Sequence, residues 1–113
     1  MSCIFCELIA SADPPRLVYE DEAVVVFPDI RPQAPTHLLV VPRRHVATIV
    51  EAAETDPELV TAMTRAVADV TRRLGVEAPG FRLVVNTGDD GGQTVGHLHM
   101  HLLAGRRMTW PPG

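Results

Sequence analysis

The most informative stretch of the sequence lies near the end of the chain: HLHMHLLA, residues 97–104. It predicts a β-strand, and in a strand alternate side chains share a face. His97, His99 and His101 would therefore line one side of a sheet, with the intervening apolar residues on the other. One histidine on a strand is usually a hydrogen-bonded, half-buried ring, but three on one face have no packing purpose. At ~3.3 Å per residue the outer two lie ~13 Å apart, so one ion does not easily bind all three, and we expect metal binding and chemistry to be divided between them.

The segment before this strand, residues 87–96 (TGDDGGQTVG), is rich in glycine. Glycines let backbone N–H groups converge on an anion, and Gln93 and Thr94 add side-chain donors. The segment lacks G-K-[ST], so it is not a P-loop, and taken alone it is more simply a hairpin turn. Beside the histidines it becomes a candidate phosphate site, in which His99 attacks phosphorus and His101 contacts the phosphate or the leaving group.

A C-x-x-C pair, Cys3 and Cys6, stands near the N-terminus. A structural disulfide is not expected in a reducing compartment, and the βαβ context of a thioredoxin-like redox motif is absent. Structural zinc is the preferred interpretation, with free thiols or redox chemistry as alternatives. His45 and His97 are the natural remaining ligands, because they lie outside the middle of the histidine row.

Composition limits what this chain can be. Its 113 residues fit a single domain, residues 1–113, and a hydrophobic share of 46% is enough for a core. Ten basic against 14 acidic residues give a net charge of -4, which argues against nucleic-acid or anionic-membrane binding. The longest apolar run, Ala23 to Phe27, is far shorter than the ~20 residues of a membrane helix. The first basic residue is Arg16, so no secretory signal is visible, and we expect a cytoplasmic protein.

The hydrophobic pattern predicts an α+β fold with a mostly antiparallel sheet. Helices are expected over residues 2–10 with Ser2 as N-cap, over 46–53, and over Pro57 to Leu74, capped by Asp56 and ended by Gly75. Strands are expected over Leu17 to Glu20, Ala23 to Phe27, His37 to Val41, Phe81 to Asn86 and His97 to Ala104. Turns or loops are expected at Asp13 to Pro15, at 29–36 and at 87–96.

The row of residues 97–103, HLHMHLL, resembles the H-x-H-x-H-x-x signature of the histidine triad (HIT) superfamily. The similarity covers essentially the whole chain and is to the Hint branch, the relatives of proteins once called protein kinase C interacting proteins, in its zinc-bearing bacterial form. Its further matching segments are residues 27–30, 32–37, 41–45, 84–86, 90–95 and 110–113. The resemblance implies a HIT-like fold: a five-stranded antiparallel sheet with one long and one or two short helices, dimerising into a ten-stranded sheet.

The resemblance also implies an activity, the hydrolysis of purine nucleoside phosphoramidates through a covalent nucleotidyl-histidine. His99 is then the nucleophile, His101 contacts the phosphate and helps the leaving group, His37 belongs to the histidine network, and His97 orients His99 through its backbone carbonyl. Asp29 and Ile30 flank the ribose and base. The implied nucleotide-binding residues are Phe5, Phe27, Asp29, Ile30, Asn86, Gly92, Gln93, Thr94, His99, His101 and Trp110.

The implied metal is one structural zinc held by Cys3, Cys6, His45 and His97, with no organic cofactor. The implied partners are AMP- or GMP-type nucleotides, their phosphoramidates, and a second copy of the chain. The Trp110 tail would reach towards the partner's site. We expect the dimer contact to use the edge strand at Phe81 to Asn86 and an apolar helix stripe formed by Met63, Val67, Val70 and Leu74.

An apolar base pocket is expected from Ile4, Phe5, Leu8, Phe27 and Ile30. Apolar walls discriminate weakly between exocyclic groups, so adenine and guanine should both be accepted over pyrimidines. Two other functions remain open. One is a nucleotide-binding interaction module with little turnover, and the other is a metal-dependent hydrolase in which His97 and His99 bind a catalytic ion.

Overall fold

A computed structural model describes residues 3–11 and 16–113. The elements in chain order are α1 (Ile4–Ala10), β1 (Tyr19–Glu20), β2 (Val24–Pro28), β3 (Thr36–Pro42), α2 (Ile49–Thr55), α3 (Pro57–Arg73), β4 (Phe81–Val84) and β5 (Met100–Ala104). The five strands form one sheet in the order β1-β2-β3-β5-β4, and every neighbouring pair is antiparallel. The predicted α+β fold is therefore confirmed, with one long and two short helices. Among the described residues, no helix combines the length and the hydropathy needed to cross a membrane.

The sheet has two covered faces, which follow from the alternation of side chains along each strand. Val24, Val26 and Val40 are completely buried on the face that packs against α3. Val25 and Phe27 point to the opposite face, where α1 covers them with Phe5. Burying a side chain of this size stabilises the fold by roughly 1.5–3 kcal/mol, so both faces contribute to the core.

Helix α3 follows the predicted boundaries closely. Pro57 occupies its first turn, and Gly75 has φ +70°, the left-handed conformation expected at a helix C-terminus. The predicted cap chemistry at Asp56 is wrong, because its side chain makes no capping hydrogen bond. Its carboxylate instead pairs with Arg44 at 2.9 Å, and its backbone N–H bonds to Ala52 O at 2.8 Å, which also ends α2.

The predicted use of the α3 stripe for dimerisation is wrong. Met63, Val67 and Val70 are 0%, 5% and 0% exposed within the subunit, because they pack on the sheet. Leu74 is the C-cap residue rather than a helical one and is 46% exposed. The face of α3 that carries the stripe is therefore already used for the subunit's own core.

The N-terminal helix begins later than predicted. Cys3 is the N-cap of α1, and its Sγ accepts a hydrogen bond from the Cys6 N–H at 3.5 Å. Ser2, which the sequence predicted as the cap, lies outside the described residues, as does the predicted turn at residues 13–15. A cysteine thus takes a position where sequence propensity favours serine.

The last two strands are shorter than predicted. β5 begins at Met100 and not at His97, because Leu98 donates its N–H to Val46 O at 2.7 Å rather than joining the sheet. Side chains still alternate, since Leu98 lies in the α3-facing core while His97 contacts Phe5 on the other face. β4 ends at Val84, two residues before the predicted end.

Three other boundaries differ by a few residues. The predicted helix over 46–53 begins at Ile49, after Thr48 accepts a capping hydrogen bond from Glu51 N–H at 3.1 Å. β3 begins at Thr36 and continues through Pro42, which pairs with Val24. The two strands predicted on either side of residues 21–22 pair as an antiparallel hairpin, although β1 keeps only two residues.

Candidate active site and metal site

The histidines of the predicted row lie against one aromatic side chain. The ring of Phe5, on α1, meets His99 edge-on at 5.1 Å between centroids and His97 at 5.7 Å. His101 follows, 5.1 Å from His99, and His37 on β3 lies 5.2 Å from His101. The three histidines of the row therefore share one face of the sheet, as the period-two spacing predicted. His37, on the neighbouring strand β3, lies on the same face.

The backbone fixes the tautomer of His99. Nδ1 of His99 lies 2.8 Å from the carbonyl oxygen of His97, and a carbonyl can only accept a hydrogen bond. Nδ1 therefore carries the proton, and Nε2 of the neutral ring carries the free lone pair. His99 is 6% exposed, so its ring is held in a defined orientation.

His37, His101 and Asp29 form a second polar cluster beside His99. Nε2 of His37 lies 3.0 Å from Nδ1 of His101, and Asp29 Oδ2 lies 3.5 Å from His37 Nε2 and 4.0 Å from His101 Nδ1. Burial lowers the pKa of His101, and the neighbouring His99 and His37 lower it further, while the carboxylate of Asp29 acts in the opposite direction. The neutral form of His101 is therefore favoured.

Three further side chains, Cys3, Cys6 and His45, converge on His97 at the start of the row. Nδ1 of His97 lies 3.3 Å from Cys3 Sγ, 3.6 Å from Cys6 Sγ and 3.1 Å from His45 Nδ1, and Cys6 Sγ lies 3.3 Å from His45 Nδ1. The four ligand atoms are all within 4.8 Å of one another. Tetrahedral zinc with bonds of ~2.0–2.3 Å separates its ligands by roughly 3.3–3.8 Å, so this donor set fits a zinc ion.

The protonation of these side chains also suits a metal. Nε2 of His97 donates to Pro42 O at 2.8 Å, which leaves the lone pair on Nδ1 facing the cysteines, the arrangement expected of a ligand supported by the backbone. Burial lowers the pKa of His97 and keeps the ring neutral. Burial, followed by the adjacent Cys3, raises the pKa of the Cys6 thiol, and a cation between the two sulfurs would reverse that effect.

The glycine-rich loop is held together by its own side chains. Gln93 donates to Ala47 O at 2.7 Å and Val95 O at 3.0 Å, and its carbonyl oxygen accepts from Gly88 N–H at 3.1 Å. Both donor hydrogens of this amide are thus used inside the protein, so Gln93 shapes the loop. Asn86 likewise donates to Gly91 O at 2.7 Å.

Two glycines of this loop are required by its shape. A Cβ at Gly91 would collide with the backbone of Thr87, and Gly92 has φ +76°. Thr94 is exposed beside them, so its hydroxyl remains accessible to a ligand.

The predicted base pocket is not assembled as expected. Leu8 and Phe27 line a cavity of about 90 Å³, but Phe5 is buried under the histidines. Ile4 and Ile30 are 50% and 92% exposed. This volume is well below the roughly 300 Å³ at which ligand pockets begin. The five residues therefore do not form one closed pocket within this subunit.

Two backbone groups at the site could not be predicted from the sequence. The N–H of Gln33 donates to Nδ1 of His37 at 3.0 Å, and Pro42 O holds the His97 ring. Arg106 was also missed, and its Nε donates to Gln33 O at 3.0 Å. Side-chain patterns carry no signal for main-chain partners, since every residue except proline offers the same groups.

Comparison with known proteins gives the family. The model of the HIT domain matches residues 11–108. The chain belongs to the HIT family. A 14 kDa zinc-binding protein of Zea mays is 42% identical over 112 residues, which cover 97% of this chain and 87% of that protein.

Two solved HIT structures share the fold. The crystal structure of a HIT family hydrolase from Legionella pneumophila superposes with a TM-score of 0.93 at 45% identity, covering 99% of this chain and all of that one. A histidine triad nucleotide-binding protein from Candida albicans has a TM-score of 0.82 at 28% identity, covering 97% and 83% of the two chains.

Proposed function

We propose that this HIT protein hydrolyses purine nucleoside 5′-phosphoramidates through a nucleotidyl intermediate on His99. The observation that carries the proposal is the contact between His99 Nδ1 and His97 O at 2.8 Å. It directs Nδ1 to a carbonyl and leaves Nε2 of the oriented ring as the nitrogen available for attack on phosphorus. The Legionella relative is described as a hydrolase and the Candida relative as nucleotide-binding, which agrees with this chemistry.

The proposed reaction has two displacements. Nε2 of His99 forms a bond to phosphorus as the P–N bond breaks, and the amine departs after gaining a proton. Water then attacks the same phosphorus, the P–Nε2 bond breaks, and AMP or GMP is released with His99 restored. His101 contacts the phosphate and assists the leaving group in both steps, because it lies beside His99 and its side chain is 23% exposed.

A metal-dependent reaction at the triad is less well supported. His97 directs its ligand nitrogen towards the cysteines, whereas His99 directs Nδ1 towards a carbonyl. Among the described residues, these two rings do not share a metal-ligating group. We therefore assign the proposed zinc at Cys3, Cys6, His45 and His97 to folding, where it would tie α1 to the sheet.

The ligand and the assembly are parts of the same proposal. In this proposal Asp29 contacts the ribose, Thr94 in the glycine-rich loop contacts the phosphate, and Ile30 contacts the base. Trp110 is 82% exposed, which agrees with a tail that completes the site of a second subunit. From the resemblance to the Hint branch we propose purines over pyrimidines, in a cytoplasmic homodimer.

Intact-mass spectrometry after mixing the protein with an AMP phosphoramidate tests the proposal. The expected result is a transient adduct with the mass of one AMP residue, mapped to His99 after proteolysis, followed by released AMP. An uncleaved substrate that binds tightly would instead support a nucleotide-binding interaction module and overturn the hydrolase.

A further inference from the structure

A main-chain amide fixes the tautomer of a buried histidine beside the triad. The N–H of Gln33 points at Nδ1 of His37, 3.0 Å away. An amide N–H can only donate, so His37 Nδ1 holds a lone pair and the proton of the neutral ring must be on Nε2. That Nε2 lies 3.0 Å from His101 Nδ1, which must then accept.

The tautomer of His37 determines the tautomer of His101. With Nδ1 of His101 accepting from His37, the proton of neutral His101 is on Nε2. His37 is buried, and both of its ring nitrogens are already used. The Nε2–H of His101 is thus the one N–H of the pair that is free to face a ligand.

We propose that the backbone amide of Gln33 is a positioning group that orders the hydrogen bonds from Gln33 to His37 to His101, so that His101 presents a proton on Nε2 while neutral. The catalytic meaning of this arrangement rests on the proposed function, but the arrangement itself is a property of the resting protein. It also leaves His37 with no free ring nitrogen that could exchange a proton with solvent.

The loop that carries the amide is held from several sides. Arg106 Nε donates to Gln33 O at 3.0 Å, and the Gln33 side chain donates to Arg31 O at 3.1 Å. Arg31 N–H donates to Asp29 Oδ1 at 2.8 Å, and Asp29 N–H donates to His37 O at 2.9 Å. The amide is therefore preorganised and need not be recruited when a ligand binds.

The Gln33 amide also makes the cluster of Asp29, His37 and His101 less suited to metal than the proposed zinc site. Asp29, His37 and His101 have ligand atoms close enough to share an ion, but a ligating imidazole donates its other N–H to an acceptor. His97 does so, to Pro42 O, whereas the second nitrogen of His37 faces a donor. His37 would have to become an imidazolate, or lose the Gln33 contact, before it could bind metal through Nε2. The cluster is therefore built for hydrogen bonding rather than for metal.

Nitrogen NMR of the substrate-free, zinc-loaded protein tests this directly. With uniform ¹⁵N labelling we expect a coupling across the hydrogen bond between Gln33 N and His37 Nδ1, and another between His37 Nε2 and His101 Nδ1. Both rings should show the Nε2–H tautomer alone. A His101 ring protonated on Nδ1, or a missing coupling from Gln33, would overturn the proposal, even if phosphoramidates are cleaved. Normal couplings in a protein that cleaves none would refute only the proposed function.

Two proline variants test the role of the amide in catalysis. Gln33→Pro deletes the N–H, and Gln33 has negative φ, since no described residue other than glycine has positive φ. Ala34→Pro is the matched control, because it places proline in the same loop and keeps the Gln33 amide. We expect Gln33→Pro to mix the His101 tautomers and slow adduct formation about tenfold, the effect of one lost hydrogen bond, with Ala34→Pro near wild type. Equal rates and unchanged tautomers in Gln33→Pro would reject the assignment.

Metal titration adds an independent readout. Wild-type protein should hold about one zinc per chain and gain no second tightly bound ion. A second equivalent that disappears in His37→Ala would show that the cluster binds metal and would overturn the proposal.

Discussion

His97 and His99 are joined by a 2.8 Å contact from His99 Nδ1 to the backbone oxygen of His97, while the His97 ring turns away towards Cys3 and Cys6. One residue therefore serves both proposed sites: its carbonyl orients the proposed nucleophile, and its imidazole belongs to the proposed zinc ligand set. Because carbonyl and ring are chemically separate, substitutions can distinguish the two roles.

The first prediction concerns His99 itself. His99→Asn keeps a polar side chain of smaller size but removes the nucleophilic Nε2. We expect turnover of an AMP phosphoramidate to fall by about three orders of magnitude or more, with nucleotide affinity changed only a few-fold, because binding contacts remain. Stopped assays for AMP release and calorimetric titration of AMP measure the two quantities. Turnover at the wild-type level in this variant would show that another group attacks phosphorus.

The second prediction concerns zinc and stability. Cys6→Ser removes one thiolate of the four-ligand set, so zinc content should fall well below one per chain. The thermal midpoint should fall with it, since structural zinc binding is coupled to folding. Glu54→Gln, an exposed change in α2 away from the cluster, is the control and should leave both unchanged. Wild-type protein purified without metal, with a midpoint that Cys6→Ser does not move, would contradict the zinc assignment.

The third prediction separates the two roles of His97. His97→Ala removes the ring but keeps the carbonyl that holds His99. Zinc content should drop sharply, while the folded fraction still forms the nucleotidyl adduct within about tenfold of the wild-type rate, since one oriented hydrogen bond is preserved. Elemental analysis and intact-mass kinetics on the same sample give the answer. Loss of adduct formation in parallel with zinc, restored by added zinc, would favour catalytic metal.

The fourth prediction concerns acid sensitivity through His101. Burial and the neighbouring histidines lower its pKa, whereas the unfolded chain titrates near ~6.5. As pH falls the unfolded state binds this proton first, so stability is intact above about pH 7 and declines through ~6.5 and below. His101→Gln should make the decline from pH 7.5 to 5.5 shallower in thermal melts at fixed salt. Identical declines in both proteins would show that His101 does not contribute.

The fifth prediction concerns assembly at the sheet edge. β4 is an edge strand, and Phe81 and Leu83 are 38% and 39% exposed there. Light scattering should give twice the 12.3 kDa chain mass, and Leu83→Lys should produce the monomer by placing a charge at the edge. Val50→Lys, at a more exposed apolar residue on α2, should remain dimeric. A wild-type monomer with full hydrolytic activity would remove the dimer from the proposal.

Residue patterns alone predict the sheet, the long helix and the common face of the histidines. The reason is periodicity. The histidines along residues 97–103 are spaced by two and the apolar residues of α3 by three and four, and the core requires each spacing to bring those side chains to one face. The cluster of Cys3, Cys6, His45 and His97 was also predictable, because these are residue types that zinc selects and both histidines lie outside the middle of the row. The ends of the strands were less predictable. β5 begins only at Met100, because Leu98 bonds to Val46 instead of pairing with a neighbouring strand.

Which faces are already buried, and which ring nitrogens carry protons, depends on contacts that exist only in the folded chain. The sequence of the apolar stripe on α3 is equally compatible with a dimer interface and with a subunit core. Its packing against the sheet shows that it belongs to the core. The five apolar residues expected to form one pocket were separated because Phe5 packs under the histidines while Ile30 faces solvent. The tautomers of His37, His97 and His99 depend on main-chain groups of Gln33, Pro42 and His97. Every residue offers such groups, and folding alone selects which of them meet.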